Sequence, residues 1–301
     1  MLAGRNSTSE AFLVKLFAVL PLLALIAAIP LAWGWGLNWV DVGLALSFYA
    51  LTGLGVTVGF HRHFTHGAFK ANRALRVGLA IAGSMAMQGP VITWVADHRR
   101  HHAYADKEGD PHSPWRFGTT PFALAKGFWY AHMGWLFERD LTNPKRFAPD
   151  LLADTDISRV HRAFPALTVV TLLAPAALGG VITMSGWGAL SAFFWAGLAR
   201  VAALHHVTWS VNSICHLIGN RPFDARDRSA NFWPLAILSF GESWHNSHHA
   251  DPTGARHGVR RGQLDISARV IWVFQKLGWV TKVRWPSADR LARKLKTPSA
   301  G

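Results

Sequence analysis

The histidines of this chain are concentrated in three short boxes whose spacing suits metal binding. The second and third boxes, DHRRHH and WHNSHH, share the pattern H-x-x-H-H, and the first box, HRHFTH, has a histidine at each end. On a helix, positions i, i+3 and i+4 lie on one face, so the imidazoles of a box should converge. Neutral imidazole is a good ligand for iron, zinc or copper. The histidines at these positions are His61, His66, His98, His101, His102, His245, His248 and His249.

A further pair of possible ligands, Asn212 and His216, lies in WSVNSICH. The histidines in these groups exceed what one metal ion can bind, so the sequence implies two ions. Zinc hydrolysis would use three ligands and a nearby glutamate base, and the motif H-E-x-x-H is absent. The boxes also contain no Glu-x-x-His pair of the kind found in di-iron bundles, so the predicted site is almost entirely nitrogen. An oxygen-activating di-iron centre fits best, because imidazole suits iron and open positions can receive O2.

The apolar residues occur in long blocks, which indicates membrane spans. Hydrophobic residues make up 50% of the chain and charged residues only 16%, below the roughly 25% charged residues of soluble domains. Residues 11–34, 38–60, 163–184 and 186–210 are each long enough to cross ~30 Å of hydrocarbon. The chain also has 15 Trp and 18 Phe, and aromatic rings favour the bilayer interface.

The segments between the spans determine the expected topology. In residues 61–162 Lys and Arg outnumber Asp and Glu, which favours the cytoplasm under the positive-inside rule. Within that segment, Gly89-Pro90 should break the apolar stretch 72–96 into helices that lie at the interface. We therefore predict an all-α integral membrane protein, a single domain over 1–301, with four transmembrane helices in two hairpins and a cytosolic helical cap that holds the histidine-rich di-iron site. Its predicted parts are the first hairpin (11–60), a cytosolic and interfacial segment with the first two boxes (61–162), the second hairpin (163–210), the rest of the cap with Asn212, His216 and the third box (211–262), and a basic tail (263–301).

Charge and cysteine content narrow the possible partners. The net charge is +14, with 31 Lys and Arg against 17 Asp and Glu. Because the basic residues lie beside hydrophobic segments, we expect a lipid bilayer, an acidic redox partner or a phosphorylated substrate, and no nucleic acid. The basic tail, with Trp272, Trp279 and Trp285, is either a lipid anchor or a docking surface. Cys215 is the one cysteine, which excludes a disulfide framework, a Cys-based zinc site and an iron–sulfur site within this chain.

The order and spacing of the boxes resemble those of the membrane acyl-CoA desaturases, of which stearoyl-CoA Δ9 desaturase is the type member. The likeness runs from about residue 38 to about 262 and includes VGFHRHFTH, WVADHRRHH, GDPHSP, HMGW, TWSVNSICHLIG and GESWHNSHHA. The resemblance implies four spans and a cytosolic cap that encloses the acyl chain in a tunnel. It also implies two iron ions, alternating between Fe2+ and Fe3+, that use O2 and two electrons to remove hydrogen from adjacent methylenes.

The resemblance also implies a role for particular residues. Asn212 would reach iron through water, and Trp94, Trp209 and Trp244 would line the tunnel. Independently of the resemblance, the position of Asp97 directly before His98 indicates that it either orients a ligand through its second ring nitrogen or caps a helix. The implied iron ligands are His61, His66, His98, His101, His102, His216, His245, His248 and His249. His63 matches a variable position, and His112, His132, His161, His205, His206 and His257 are expected to be structural or surface residues.

Two positions depart from the family pattern and affect the expected carrier of the acyl chain. Ala96 replaces a basic residue that faces coenzyme A, and Asp251 stands where phenylalanine is expected after the third box. The resemblance implies a long-chain acyl-CoA as substrate. Because these two departures remove expected contacts, an acyl-carrier-protein thioester and a lipid-bound acyl chain stay open as alternatives. Basic side chains that could receive a phosphate-bearing carrier are Arg73, Arg76, Arg99 and Arg100.

Electrons are expected from a separate protein, such as a ferredoxin with an NAD(P)H-dependent reductase, drawn to the basic face. The termini and the active site are expected on the cytoplasmic side of the cell membrane. One alternative keeps the site and changes the product, as in a fatty-chain hydroxylase or acetylenase. The other is a non-catalytic, histidine-rich metal transporter, which the position of the boxes outside the spans disfavours.

Overall fold

The computed structural model describes residues 1–32, 36–138 and 140–296 and shows a mostly helical protein. The predicted number of spans is confirmed, because four described helices are long and apolar enough to cross a membrane. The predicted end of the first span at residue 34 lies outside the described residues, as does the end of the basic tail. The pairing of spans into hairpins and the side on which the cap lies stay predictions. The candidate spans are Thr8–Leu31, Trp39–Thr65, Phe164–Thr183 and Gly186–His216.

The N-terminal segment consists of a short strand and the first span. Strand β1 (Leu2–Arg5) pairs antiparallel with β3 (Asp140–Thr142). Helix α1 (Thr8–Ala32) is apolar on all sides and contains Pro21 and Pro30. A helix that is hydrophobic all round is typical of a membrane span.

The second span begins at a capping box and ends in a π-helix. The Asn38 side chain accepts hydrogen bonds from the backbone N–H groups of Val40 and Asp41 at 2.9 and 3.0 Å. Helix α2 (Trp39–Leu54) then continues directly into the π-helix Gly55–Thr65. We expected the crossing to end just before His61, and the structure instead holds His61 inside the helix. A π-turn is wider than an α-turn and is frequent at functional sites.

Small residues let the π-helix lie directly against the next helix. A Cβ atom on Gly55 would lie 2.3 Å from the backbone nitrogen of Gly83 in α3 (Arg73–Ser84), and one on Gly83 would lie 2.5 Å from the Phe60 ring. Only glycine permits this approach of two backbones. The contact fixes the part of the π-helix that carries His61.

The apolar stretch 72–96 is broken as predicted. Helix α3 ends at Ser84, and α4 (Val91–Tyr104) begins directly after Pro90. Gly89 has a φ of +111°, which only glycine adopts without strain. Helix α4 carries the whole second histidine box.

Short helices connect α4 to the third span and complete the cap. Strand β2 (Lys70–Ala71), which precedes α3, pairs antiparallel with β4 (Val280–Thr281) from the C-terminal segment. The helices of the connection are α5 (Pro121–His132), a 3₁₀ turn (Gly134–Phe137), α6 (Pro144–Phe147), α7 (Pro149–Ala153) and α8 (Thr155–Arg162).

The last two spans lie against each other. Helix α9 (Phe164–Thr183) packs on α10 (Gly186–Ala192) and on the π-helix Phe193–Ala199 that continues it. The same helix proceeds as α11 (Arg200–Ser213) and ends in a 3₁₀ turn, Ile214–His216. The predicted fourth span ended at residue 210, before Asn212 and His216, whereas the structure places both residues in the last turns of the candidate span itself.

The C-terminal segment supplies the third box and closes the core of the cap. Buried apolar side chains from the π-helix, α3, α4, α8 and α13 form one cluster that includes Phe60, Val95, Ile157 and Ile271. The elements of the C-terminal segment are a 3₁₀ turn (Trp233–Leu235), α12 (His245–Ala250), α13 (Ile266–Lys276), β4 and α14 (Ala288–Ala292).

Candidate metal centre

All the histidines implied as ligands lie in two buried or half-buried groups, in each of which the possible ligand atoms lie within 4.8 Å of one another. The five-histidine group draws on the π-helix and its end, on α4 and on α12. The four-histidine group draws on α4, α12 and the turn after α11. The first group is His61, His66, His98, His102 and His248, and the second is His101, His216, His245 and His249.

The two H-x-x-H-H boxes are each divided between the groups in complementary ways. Helix α4 gives His98 and His102 to the five-histidine group and its middle histidine to the other, whereas α12 gives only His248 to the five-histidine group. Successive helical residues turn by about 100°, so i+4 lies about 40° from i and i+3 lies about 60° away on the opposite side. The sequence predicts that the imidazoles of one box converge at one place, because they share a helix face. In the structure that face is wide enough to contribute histidines to both groups.

The Nε2 atoms of the five-histidine group face one another at the spacing of ligands on one ion. His248 Nε2 lies 3.0 Å from the Nε2 atoms of both His61 and His102, and His102 Nε2 lies 3.2 Å from that of His98. Two nitrogens each about 2.1 Å from a metal ion and at right angles are about 3.0 Å apart. His66 Nε2 is buried with no hydrogen-bond partner among the described residues. These atoms fit a first-row transition metal.

Carboxylates hold the other ring nitrogen of three histidines in the four-histidine group. Asp110 lies 3.0 Å from His101 Nδ1, Asp106 lies 2.9 Å from His216 Nδ1, and Asp227 lies 2.7 Å from His249 Nδ1. A carboxylate at Nδ1 fixes the proton there and leaves the Nε2 lone pair free for a metal. The three tautomers are therefore set for metal binding.

The Nε2 atoms of the four-histidine group lie so close together that a cation between them would stabilise the arrangement. His245 Nε2 lies 3.1 Å from His216 Nε2 and 3.0 Å from His249 Nε2, and neutral His245 has at most one proton to share. At least one contact therefore brings two lone pairs together. His101 Nε2 is also buried and has no hydrogen-bond partner in the described part of the chain. A metal ion satisfies all four nitrogens.

A buried charge network supports the five-histidine group. His61 Nδ1 lies 2.5 Å from Glu242 Oε2, and the fully buried Arg62 donates to Glu242 Oε1 at 2.9 Å. Arg62 also lies 3.0 Å from Asp265. Burial by itself would raise the pKa of Glu242, but Arg62 and His61 outweigh it and hold that pKa well below its usual range. Glu242 is therefore an anion whose Oε2 faces His61 Nδ1 at close range without the geometry of a hydrogen bond.

Burial favours the neutral form that a metal needs in six of the nine candidate ligands. Loss of hydration is the main cause that lowers the pKa of six imidazoles well below the ordinary value, and neighbouring imidazoles lower it further. A neutral ring presents a lone pair without first losing a proton. The six are His66, His98, His102, His245, His248 and His249.

The other predicted site residues lie near the groups. Trp94 stacks on His98 with ring centroids 5.0 Å apart, and Trp244 directly precedes His245. Trp209 is buried among His132, His205 and His206. That these tryptophans line an acyl tunnel stays a prediction, as does water-mediated ligation by Asn212.

Asp97 serves neither of the two roles considered for it in the part of the chain that the structure describes. Its carboxylate bonds to Thr142 and lies near Arg100, while helix α4 begins six residues earlier at Val91. Burial raises the pKa of Asp97 to about 6 despite these two partners. Asp97 therefore ties α4 to β3.

The arginines considered for the carrier are bonded within the protein. Arg99 donates to the carbonyls of Phe64, Thr65 and Phe147 and pairs with Asp150. Arg100 donates to the Gly109 carbonyl at 2.8 Å. A role for either in substrate binding stays a prediction.

The two remaining arginines are engaged in the same way. Arg73 pairs with Asp156 at 2.7 Å, and Arg76 pairs with Asp154 and Asp156. A carrier phosphate would compete with these carboxylates for the guanidinium groups.

Two histidines set aside as structural or surface residues are buried beside the ligands. His257 Nδ1 lies 3.3 Å from Glu242, and its ring centroid is 4.4 Å from that of His248. His112 lies beside His101 with ring centroids 4.5 Å apart. His63 lies outside both groups and contacts the Phe69 carbonyl at 3.2 Å.

Sequence reasoning missed the carboxylates that support the ligands. Asp106 and Asp110 fall in DKEGD, a polar segment outside the histidine boxes whose composition is typical of a turn-rich loop. Glu242 precedes His245 by three residues, so a Glu-x-x-His pair crosses the start of the third box, where only residues inside the box were counted. That spacing was an available signal for Glu242. Asp227 had none, because it is distant in sequence from every box.

Comparisons with known proteins agree with this site. Residues 37–272 match the family model described as fatty acid desaturase. The chain is 41% identical to a hex-5-enoyl-[acyl-carrier protein] acetylenase of Moorena producens (strain JHB), over 93% of this chain and 88% of that protein. It is 37% identical to an sn-1 stearoyl-lipid 9-desaturase of Anabaena variabilis, over 82% and 85%. It is 36% identical to a probable acyl-CoA desaturase of Schizosaccharomyces pombe, over 78% of this chain and 47% of that protein.

Proposed function

Because this chain belongs to the fatty acid desaturase family, whose members are oxidoreductases, we propose that it introduces a cis double bond into a long saturated acyl chain. The observation that carries the proposal is the pair of histidine groups, in which all nine implied ligands meet. Two hydrogens leave adjacent methylenes, and with two protons and two electrons from outside they reduce O2 to two waters.

The residues of the chain supply what such a site needs. Iron bound in the two groups would supply the one-electron chemistry with O2 that unactivated methylenes require. Asp106, Asp110 and Asp227 keep the Nε2 atoms of their histidines free to bind. Burial of the ligand rings excludes water, which protects reactive states from side reactions.

The proposed substrate is a long-chain acyl-CoA, with the double bond at Δ9. The relatives named for acyl-CoA and for a 9-desaturase support this choice. Ala96 is fully buried, so position 96 offers no charged group to coenzyme A. An acyl-carrier-protein thioester and a lipid-bound chain are therefore assayed beside acyl-CoA.

A second candidate function is acetylenase activity, in which an existing double bond is oxidised to a triple bond. The observation that favours it is the 41% identity to a protein named as an acetylenase. Both reactions remove two hydrogens from adjacent carbons, so one metal centre suits both. Which reaction occurs depends on whether the substrate is saturated or already has a double bond, and on how far its acyl chain enters the site.

We place the protein in the cell membrane with its active site and termini on the cytoplasmic side. Four candidate spans and the basic segments between them support this placement. The electrons would come from a separate ferredoxin and its NAD(P)H-dependent reductase, since the single cysteine of this chain cannot hold an iron–sulfur cluster.

The test is the fatty acid profile of a desaturase-deficient host that expresses this chain, measured by gas chromatography–mass spectrometry with double-bond localisation. New Δ9 monounsaturated acids that disappear with His101→Ala are expected. Membranes would then be assayed with stearoyl-CoA, stearoyl-carrier protein and stearoyl phosphatidylcholine to identify the carrier. Hydroxylated or acetylenic products, with no new alkene, would contradict desaturation and indicate hydroxylase or acetylenase activity instead.

A further inference from the structure

A basic groove of about 690 Å³ lies between α13 and the segment around Trp285. Arg256, Arg269 and Lys276 line the groove and are exposed. Trp272, also in the lining, is 49% exposed and offers an apolar surface between them. Asp265 is the acidic residue of the lining, and it is buried and paired with Arg62. The open side of the groove is therefore positively charged.

A short chain of polar contacts joins the groove to the five-histidine group. Asp265 lies 3.0 Å from Arg62, Arg62 lies 2.9 Å from Glu242, and Glu242 lies 2.5 Å from His61. Three contacts thus connect the floor of the groove to an implied ligand. Each of these side chains is buried, so the connection passes through the protein and not through bulk solvent.

A second connection joins the groove to the four-histidine group. The Trp244 indole N–H donates to the carbonyl of Leu264, another lining residue, at 2.7 Å. Trp244 directly precedes His245 in the chain. The groove is thus one aromatic residue away from the second group as well. Another pocket, near Arg73 and Asp156, has no contact of this kind with a candidate ligand among the described residues.

We propose that this basic groove docks a small acidic iron–sulfur protein that carries one electron, and that electrons enter the two histidine groups from it. The inference rests on the proposed function, which consumes two electrons per O2 that the organic substrate does not supply. Two reduced carriers in turn each lose one electron and leave oxidised. Exposed carboxylates on the carrier complement the arginine and lysine side chains, and Trp272 provides an apolar centre for the interface.

Binding of a defined probe tests the surface without any turnover. The full-length, iron-loaded protein is placed in nanodiscs of neutral phosphatidylcholine and titrated with oxidised plant-type [2Fe–2S] ferredoxin. The variant Arg269→Glu/Lys276→Glu reverses two charges of the groove. The matched control, Lys145→Glu/Arg293→Glu, reverses two exposed charges that do not line it. We expect the Kd to rise about tenfold or more in the groove variant, and not in the control.

Salt dependence gives a second readout of the same surface. The wild-type affinity should fall as ionic strength rises, and the groove variant should lose most of that dependence. Equal affinity of the groove variant and the control for ferredoxin would overturn the proposal.

Chemical reduction separates this proposal from the proposed function. With dithionite in place of ferredoxin, the groove variant should form as much unsaturated product per chain in a single turnover as the wild type. Loss of that product in the variant alone would assign the groove to the catalytic site or the substrate and overturn docking. If neither protein forms product while ferredoxin binding still depends on the groove, docking stands and the proposed function has failed.

Discussion

Glu242 Oε2 lies 2.5 Å from His61 Nδ1, in the buried space between the π-helix and the third histidine box. The carboxylate comes from a residue 181 positions away in the chain, and Arg62, the neighbour of His61, holds its other oxygen. Among the described residues, one carboxylate lies at a ring nitrogen of the five-histidine group, and an arginine balances it. Three carboxylates lie at ring nitrogens of the four-histidine group in the same part of the chain.

Glu242→Gln should weaken metal binding at the five-histidine group. The amide keeps the size of the side chain but removes the negative charge that faces His61 Nδ1, and loss of such a partner costs about 10–100-fold in metal affinity or activity. Iron retention would be measured by competition with a chelator. The control is Glu138→Gln, which alters a carboxylate paired with Arg116 at a half-exposed position. Equal retention in both variants would show that Glu242 does not support a metal ligand.

Asp227→Asn should weaken metal binding at the four-histidine group by changing the tautomer of His249. Asp227 Oδ2 accepts from His249 Nδ1 at 2.7 Å, and an amide nitrogen there would favour the tautomer with its proton on Nε2, which cannot bind a metal. A loss of roughly 10–100-fold in affinity for one iron is expected. Asp289→Asn, an exposed change at the start of α14, is the control. Retention of full iron by Asp227→Asn under the same competition would refute this role.

The two variants should remove different irons. Because Glu242 contacts the five-histidine group and Asp227 the four-histidine group, each leaves the other group intact. Mössbauer spectra of protein loaded with ⁵⁷Fe should lose one component in Glu242→Gln and the other in Asp227→Asn. If both variants lose the same component, or both lose the two components together, the groups are not separate metal sites.

Gly55→Ala should destabilise the packing of the π-helix on α3. Its new Cβ would lie 2.3 Å from the Gly83 backbone, so the helices must separate, at a cost of about 1–3 kcal/mol. Gly78→Ala is the matched control, because nothing lies within 4 Å of a Cβ there and alanine favours a helix. The midpoint temperature of thermal unfolding in detergent should be lower for Gly55→Ala than for the wild type, and unchanged or higher for Gly78→Ala. An unchanged midpoint would mean that this contact does not constrain the fold.

The candidate ligands and the candidate spans could be predicted because both depend on local spacing. The H-x-x-H-H boxes identify histidines on a helix face, and Gly89-Pro90 identifies the break between α3 and α4. The π-helix at Gly55–Thr65 could not be predicted, since its wider turns depend on the close approach of α3. An apolar run gives no sign of that contact.

The division of the boxes was likewise beyond the sequence. Whether His101 joins His98 or His245 depends on how α4 faces α12, and those helices are far apart in the chain. Asp227 illustrates the same limit, because only the folded chain brings it to His249. Local periodicity therefore predicts which histidines gather at the candidate site, and tertiary packing determines how they are divided between the two groups.

The iron content of the purified protein tests the central claim most directly. The chain would be purified from membranes in mild detergent and its iron, zinc and manganese measured per polypeptide by mass spectrometry of the elements. The two histidine groups predict two tightly held irons per chain. One ion per chain, or exchangeable zinc or manganese in place of iron, would contradict a di-iron centre formed by these two groups.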